Sequence, residues 1–225
     1  MCGRISLFVR WGVLEDRFEA TAPERLAPSY NVAPSENLAV IRTDAREEIR
    51  LHEWGLQPAW ADDPSTRFIN ARAETIDEKP SFADAAANRR CLVLADGFYE
   101  WQDRTTGRQP FRIERTDREP FAMAGLFEHG PDATTVAVVT TTPNDVVAPI
   151  HDRMAAVLDE KAEDAWLAAD DPGDRMRLLQ TPDPDGFHAY PVSTALNDPG
   201  NDGPEFLERA SVSDEDPQTG FDDFQ

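Results

Sequence analysis

Residues 134–141 read TTVAVVTT. Seven of the eight are β-branched, and nothing in the run breaks a strand, so it predicts a buried β-strand. Working outward, CLVLA at 91–95, PFRIE at 110–114 and PFAMAGLF at 120–127 repeat the pattern, as do LAVIR at 38–42 and IRLHEW at 49–54. The first ten residues alternate apolar at Ile5, Leu7 and Val9, and HAYPVS at 188–193 supplies a last strand. Helical spacing is expected over 11–27 (Val13, Leu14, Phe18 and Leu26 on one face), 77–90, 160–170 and 173–180. Residues 28–37 read as extended, and WGLQPAW at 54–60 as a loop. FINARAETI at 68–76 reads as an extended segment that puts Asn70, Arg72 and Glu74 on one face. Short strands with a few helices between them predict one α+β domain over residues 2–208, built on a mixed or antiparallel sheet. Residues 209–225 are acidic and predicted to be a disordered tail.

The chain has 225 residues and a net charge of −21, with 43 acidic and 22 basic residues. Lys79 and Lys161 are its two lysines; the other basic residues are arginine. A dense carboxylate surface poor in lysine suits molar salt, where the Debye length is only ~3 Å, and points to a halophilic archaeon as the source. Such acidity argues against nucleic-acid binding over the whole surface, but leaves room for a local arginine cluster. No apolar run approaches the ~20 residues a bilayer span needs. No basic-then-apolar leader is present, so a cytoplasmic, nucleoid-associated protein is expected. Cys2 and Cys91 make no disulfide framework. His52, His129, His151 and His188 show no ligand spacing, so no metal and no cofactor are expected.

The chain starts Met1-Cys2-Gly3-Arg4. Removal of Met1 would leave Cys2 with an α-amine and a thiol on adjacent carbons, with reference pKa values of ~7.7–8.0 and ~8.5, both partly deprotonated near neutrality. An amine condenses with an aldehyde to a Schiff base. The neighbouring thiol can then close on the imine at high effective concentration, giving a five-membered thiazolidine. The same residue could equally be a buried small hydrophobe.

Further fragments change the weight of this. MCGR is followed by YNVAP at 30–34, WGLQPAW at 54–60 and INARAET at 69–75. Then come ADGFYEW at 95–101, TTTPNDVVAPIHDRM at 140–154, YPVSTALN at 190–197 and NDGPEFLE at 201–208. In this order the set closely resembles the SOS-response-associated peptidase (SRAP) family of abasic-site processing proteins, over roughly residues 2–208. The resemblance implies a barrel-like mixed sheet with a few flanking helices. It implies loss of Met1, binding of single-stranded DNA carrying an abasic site, and covalent capture of the ring-opened sugar aldehyde by the N-terminal cysteine. The peptidase label would reflect processing of the N-terminus, with hydrolase and lyase classes both in view. The catalytic positions map to Cys2, Asn70, Glu100 and His151. One departure is Ala155, where the family usually has proline after HDRM.

The residue chemistry fits those roles. Glu100 between Tyr99 and Trp101 can shuttle protons if desolvation raises its pKa. His151 titrates near neutrality and can protonate the sugar-ring oxygen or orient a phosphate. Asn70 offers a donor and an acceptor suited to the α-amine. Each also has a plainer reading, as a solvated strand acid, a structural histidine or a turn cap. Arg4, Arg72 and Arg153 adjoin these groups and are expected phosphate contacts, with Arg90 and Arg108 as extensions; pairing with the chain's own acids is the alternative. Pro34 and Trp60 are expected to wedge or stack bases, although Trp60 suits a core equally, as do Tyr99 and Trp101. A monomer is expected, with an unknown replication-machinery partner. Two other functions use the same residues: an N-terminal cysteine peptidase or amidohydrolase, and a non-catalytic single-strand DNA binder.

Overall fold

Val136, Ala137, Val138 and Val139 are all fully buried, so both faces of the 134–141 strand are covered. The computed structural model describes residues 2–24, 27–63, 65–105 and 107–211. Its strands are β1 (Arg4–Leu7), β2 (Ser29–Val32), β3 (Asn37–Arg42), β4 (Ala45–Trp54), β5 (Asn70–Arg72), β6 (Arg90–Ala95) and β7 (Gly97–Arg104). They continue with β8 (Gly107–Arg115), β9 (Phe121–His129), β10 (Thr134–Thr141), β11 (Met154–Ala155), β12 (Val157–Leu158) and β13 (Phe187–Pro191). The helices are α1 (Trp11–Phe18), α2 (Ala83–Asn88), α3 (Glu160–Ala168) and α4 (Pro172–Leu178).

Two sheets share the strands. One runs β13-β8-β7-β1-β2; the other runs β11-β10-β4-β3-β6-β9-β12, with β5 also on β10. Antiparallel pairing of β9 with β10 closes the larger sheet on itself into a barrel. The pleat sorts its side chains into two cores. Val40, Cys91, Val93, Met123, Val136 and Val138 pack toward Ile5, Phe98 and Ile113 of the smaller sheet. The alternate residues Ile41, Leu92, Leu94, Leu126 and Val139 pack with Leu14, Ala85, Trp166 and Leu167 of the helices. Covering on both faces explains why these strands read as unbroken apolar runs.

The helical expectations need trimming. The 11–27 helix stops at Phe18, because Glu19 turns left-handed (φ 50°). Thr21 then bonds to Glu47 and Ile49, running alongside β4. Leu26 lies outside the described residues. Within 77–90, Pro80 cannot continue a helix, and the helix is confined to α2. β5 ends at Arg72 and residues 73–75 form a 3₁₀ turn, so Glu74 leaves the face that Asn70 and Arg72 share. Of the acidic tail, residues 212–225 lie outside the described residues. Among the described residues no helix is long and apolar enough to cross a membrane.

A buried ionic network ties β1 to β7 and β8. The Arg112 guanidinium donates to Glu114 Oε2 at 2.7 Å, Ser6 Oγ at 2.6 Å, Tyr99 Oη at 3.2 Å and Asp96 Oδ1 at 3.3 Å. Asp96 in turn accepts from Ser6 Oγ and from the backbone N–H groups of Phe8 and Val9. Gly97 makes room for it: a Cβ there would lie 2.5 Å from Arg112 Cζ. Four partners hold Arg112 in place, so it cannot swing away. Gly97→Ala is therefore expected to destabilise the fold by ~1–3 kcal/mol, the usual cost of overpacking. This reads out as a lowered urea midpoint; an unchanged midpoint would contradict it.

Candidate active site

Cys2 is fully buried at the mouth between the two sheets. β1 carries it there, pairing Arg4 with Tyr99 of β7. Asn70, at the start of β5, donates from Nδ2 to the Cys2 carbonyl at 2.8 Å. The expected partner was the α-amine; the observed one is the carbonyl of the same residue. Asn70 Oδ1 is buried and has no hydrogen-bond partner among the described residues. The Cys2 thiol donates weakly to the Arg4 carbonyl at 3.9 Å. Burial, reinforced by the Glu100 carboxylate, pushes the thiol well above its ordinary value. The expectation of a partly ionised thiol at neutrality is thus corrected: desolvation keeps it protonated.

Glu100 sits on β7, where side chains alternate. Phe98 and Glu100 face the core between the sheets, while Tyr99 and Trp101 belong to the opposite cluster with Tyr190 and Leu196. A carboxylate on an apolar face is desolvated, and burial lifts Glu100 to about 7. It is 1% exposed, not a strand acid with its head in solvent.

His151 follows β10 through a loop wound around Asn144. That side chain accepts from the N–H groups of Val146 and Val147, and its amide donates to Pro182 O. Gln102 of β7 donates to the Pro149 carbonyl at 2.9 Å, bringing the loop to the Glu100 strand. His151 Nδ1 accepts from the Arg153 N–H at 3.0 Å and lies 2.9 Å from Asp152 Oδ1. A neutral ring therefore has a donor at Nδ1 and an imidazolium has a carboxylate. Burial lowers the His151 pKa, favouring the neutral ring.

A groove of about 570 Å³ opens beside Cys2, lined by Gly3, Arg4, Pro34, Ile69, Trp101 and Arg108, with Asn197 at its edge. Arg4 and Arg108 lie 6.0 and 5.9 Å from the Trp101 ring, whose Nε1 donates to Asn197 Oδ1 at 2.7 Å. Pro34 is fixed by a turn in which Ser35 adopts φ 73° and Glu36 accepts from the Ala33 N–H. Arg72 is exposed, and neither it nor Arg4 makes an ion pair with a described residue. Trp60 is 57% exposed, which removes the core reading. Arg108 pairs with Asp103 at 3.2 Å on the surface. Arg153 is held bidentately by Glu74. Arg90 is a correction: it is buried and donates to the carbonyls of Ala86, Ala87, Trp166 and Leu167 at the ends of α2 and α3, out of reach of any phosphate. Among the described residues no group of three ligating side chains could hold a metal.

A family model described as SOS response associated peptidase (SRAP) matches residues 1–199. The chain belongs to the SRAP family. It is 40% identical over 223 residues to the abasic site processing protein YoqW of Bacillus subtilis, covering 92% of this chain and 99% of that one. It is 31% identical to the abasic site processing protein YedK of Escherichia coli, covering 80% and 83%. With the abasic site processing protein HMCES of Gallus gallus it shares 34% identity, covering 81% and 66%. The fold matches a crystal structure of a Bacteroides thetaiotaomicron protein with TM-score 0.83 at 25% identity, over 93% of this chain and all of that one. The single α+β architecture expected from the strand pattern is thus that of an SRAP domain.

Within this SRAP site the sequence reading passed over Asn197 and gave Trp101 no more than a core role. Both lie in quoted family fragments, but only the fold brings them into one groove. Asn31 of YNVAP explains the link: its amide donates to the carbonyls of Leu196, Asp198 and Asn201, pinning the 194–201 segment under β2.

The Glu100 environment has a thermodynamic signature. Its folded pKa lies above the ordinary 4.5, so its protonated form contributes stability fully below pH ~4.5, and this is lost as pH rises through about 7. Glu100→Gln keeps the shape and removes the titration. The variant is expected to be more stable than the parent by ~1–3 kcal/mol at pH 8 and nearly equal at pH 5, by chemical denaturation. A stability difference that does not change between these pH values would contradict the buried-acid description.

Proposed function

We propose that this chain processes abasic sites in single-stranded DNA by capturing the ring-opened aldehyde on Cys2 after Met1 is removed. The names of the relatives support the lesion, and one observation supports the chemistry: a carboxyl group that titrates near 7 is buried beside Cys2. The α-amine attacks the sugar C1′ and forms a carbinolamine. Glu100, as the acid, protonates the carbinolamine hydroxyl, which leaves as water to give the protonated imine. The buried thiol is not a ready thiolate, so its sulfur needs a base when it adds to the imine carbon. The Glu100 carboxylate left by the first step takes the thiol proton as sulfur adds to the iminium carbon; the ring nitrogen keeps the proton it already carries, and Glu100 ends protonated, as it began. The net change is one C–N and one C–S bond formed and one water lost. Asn70 holds the Cys2 backbone through its amide and offers Oδ1 to the α-amine. His151 is the proton donor for the sugar-ring oxygen during opening.

Arg4 and Arg72 flank the cysteine as phosphate ligands, and Pro34 and Trp60 carry the base contacts. A raised thiol pKa favours this order over a cysteine peptidase, whose nucleophile is the thiolate. Intact-mass measurement on protein mixed with single-stranded DNA bearing one abasic site tests the reading. The expected species is protein lacking Met1 plus DNA minus one water, heat-stable and absent for Cys2→Ala. Retained Met1, or acyl-enzyme with peptides and no DNA adduct, would overturn it.

Non-covalent affinity has its own expectation. Two cations without an ion pair among the described residues release about 1.4 counterions from a single strand, at ~0.7 each. The plot of log K against log salt is expected to have a slope near −1.4 on Cys2→Ala protein, with stacking supplying the rest. A slope steeper than about −3 would contradict this.

A further inference from the structure

We propose that Glu74 is a positioning residue for His151, acting through Arg153; this rests on the role for His151 given above. Thr140, at the end of β10, pairs with Arg72 of β5 on one side and Ala155 of β11 on the other. Glu74 lies just beyond β5, and Arg153 just before β11. Across the end of β10, Arg153 Nη1 donates to Glu74 Oε1 at 2.6 Å and Nη2 to Glu74 Oε2 at 2.9 Å. Nη2 also donates to the Thr140 carbonyl at 2.6 Å. The fork-to-fork geometry fixes both distance and plane. The Arg153 side chain is only 13% exposed, and the Glu74 side chain 47%.

Arg153 does a second thing: its backbone N–H is the donor to His151 Nδ1. The ion pair therefore fastens the backbone that sets the imidazole plane. It also joins the segment carrying Asn70 and Arg72 to the loop carrying His151. A phosphate reaching this guanidinium would have to displace three hydrogen bonds from a largely covered group. Arg153 is a strut, and Arg72, exposed two residues before Glu74, is the cation left for DNA.

Glu74→Ala separates the two roles by sign. Glu74 is half exposed, so its truncation leaves the core intact. If Glu74 positions His151, the variant forms the DNA adduct roughly ten- to a hundredfold more slowly, the scale of a small misplacement. Its affinity for single-stranded DNA and its salt slope stay within twofold of the parent. Arg153→Ala gives the same rate defect, and the double variant is no worse than either single one, as expected for one device. In ¹⁵N spectra of the free protein, His151 is a single, well-defined tautomer in the parent and a mixture in Glu74→Ala. An unchanged adduct rate with an unchanged tautomer would overturn the proposal. So would tighter DNA binding with a steeper salt slope, which marks Arg153 as a phosphate ligand freed from a competitor. The tautomer is read without DNA, so it decides the role of Glu74 even if the parent protein forms no adduct and the functional reading itself falls.

Discussion

The burial of one carboxyl group beside Cys2 organises the site. Glu100 shares the inward face of β7 with Phe98, between a closed barrel and a five-stranded sheet. An ionised carboxylate there is poorly solvated, so its proton is held until about neutral pH. The same desolvation keeps the neighbouring thiol protonated. A thiolate mechanism would work against both effects. Amine-first condensation uses both, because it needs an acid for dehydration and then a base for a thiol that has kept its proton.

The rest of the fold serves to hold that pair in place. β1 brings Cys2 in, and the Arg112 network locks β1 onto β7 and β8 from the side away from the site. Asn70 reaches Cys2 from β5, and the Asn144 loop and Gln102 bring His151 toward the Glu100 strand. The large negative charge is compatible with this arrangement because many arginines are neutralised where they stand. Arg17, Arg42, Arg67, Arg89 and Arg175 each face a carboxylate. Around the groove the balance differs: neither Arg4 nor Arg72 makes an ion pair with a described residue.

Much of the fold was legible because its strands are covered on both faces. Unbroken β-branched runs such as TTVAVVTT have few alternatives, and β10, β6 and β9 fall where their composition puts them. Helix lengths were less legible, since the 11–27 and 77–90 patterns continue past points where the backbone turns at Glu19 or meets Pro80. Cys2, Glu100 and His151 stand out in the sequence through the family motifs and their chemistry. The partnerships were not. Asn70 meets Cys2 across 68 positions of chain, and Arg90 meets Trp166 across 76. Whether an arginine stays exposed, faces a carboxylate or meets a helix end depends on such long-range contacts, which is why Arg72, Arg153 and Arg90 look alike in sequence and differ in the fold. Trp60 was undecided for the same reason, and its exposure settles only that it is not core.

The order of bond formation is the central claim, and borohydride trapping on Cys2→Ala protein tests it most directly. This variant keeps an N-terminal α-amine and lacks the thiol. If the amine attacks first, it forms an imine with abasic single-stranded DNA that borohydride reduces to a stable secondary amine, while no heat-stable adduct survives without the reductant. If Cys2→Ala, shown by mass to have lost Met1, gives no trapped species under conditions where the parent protein crosslinks fully, the thiol is needed for the first step and the account is wrong.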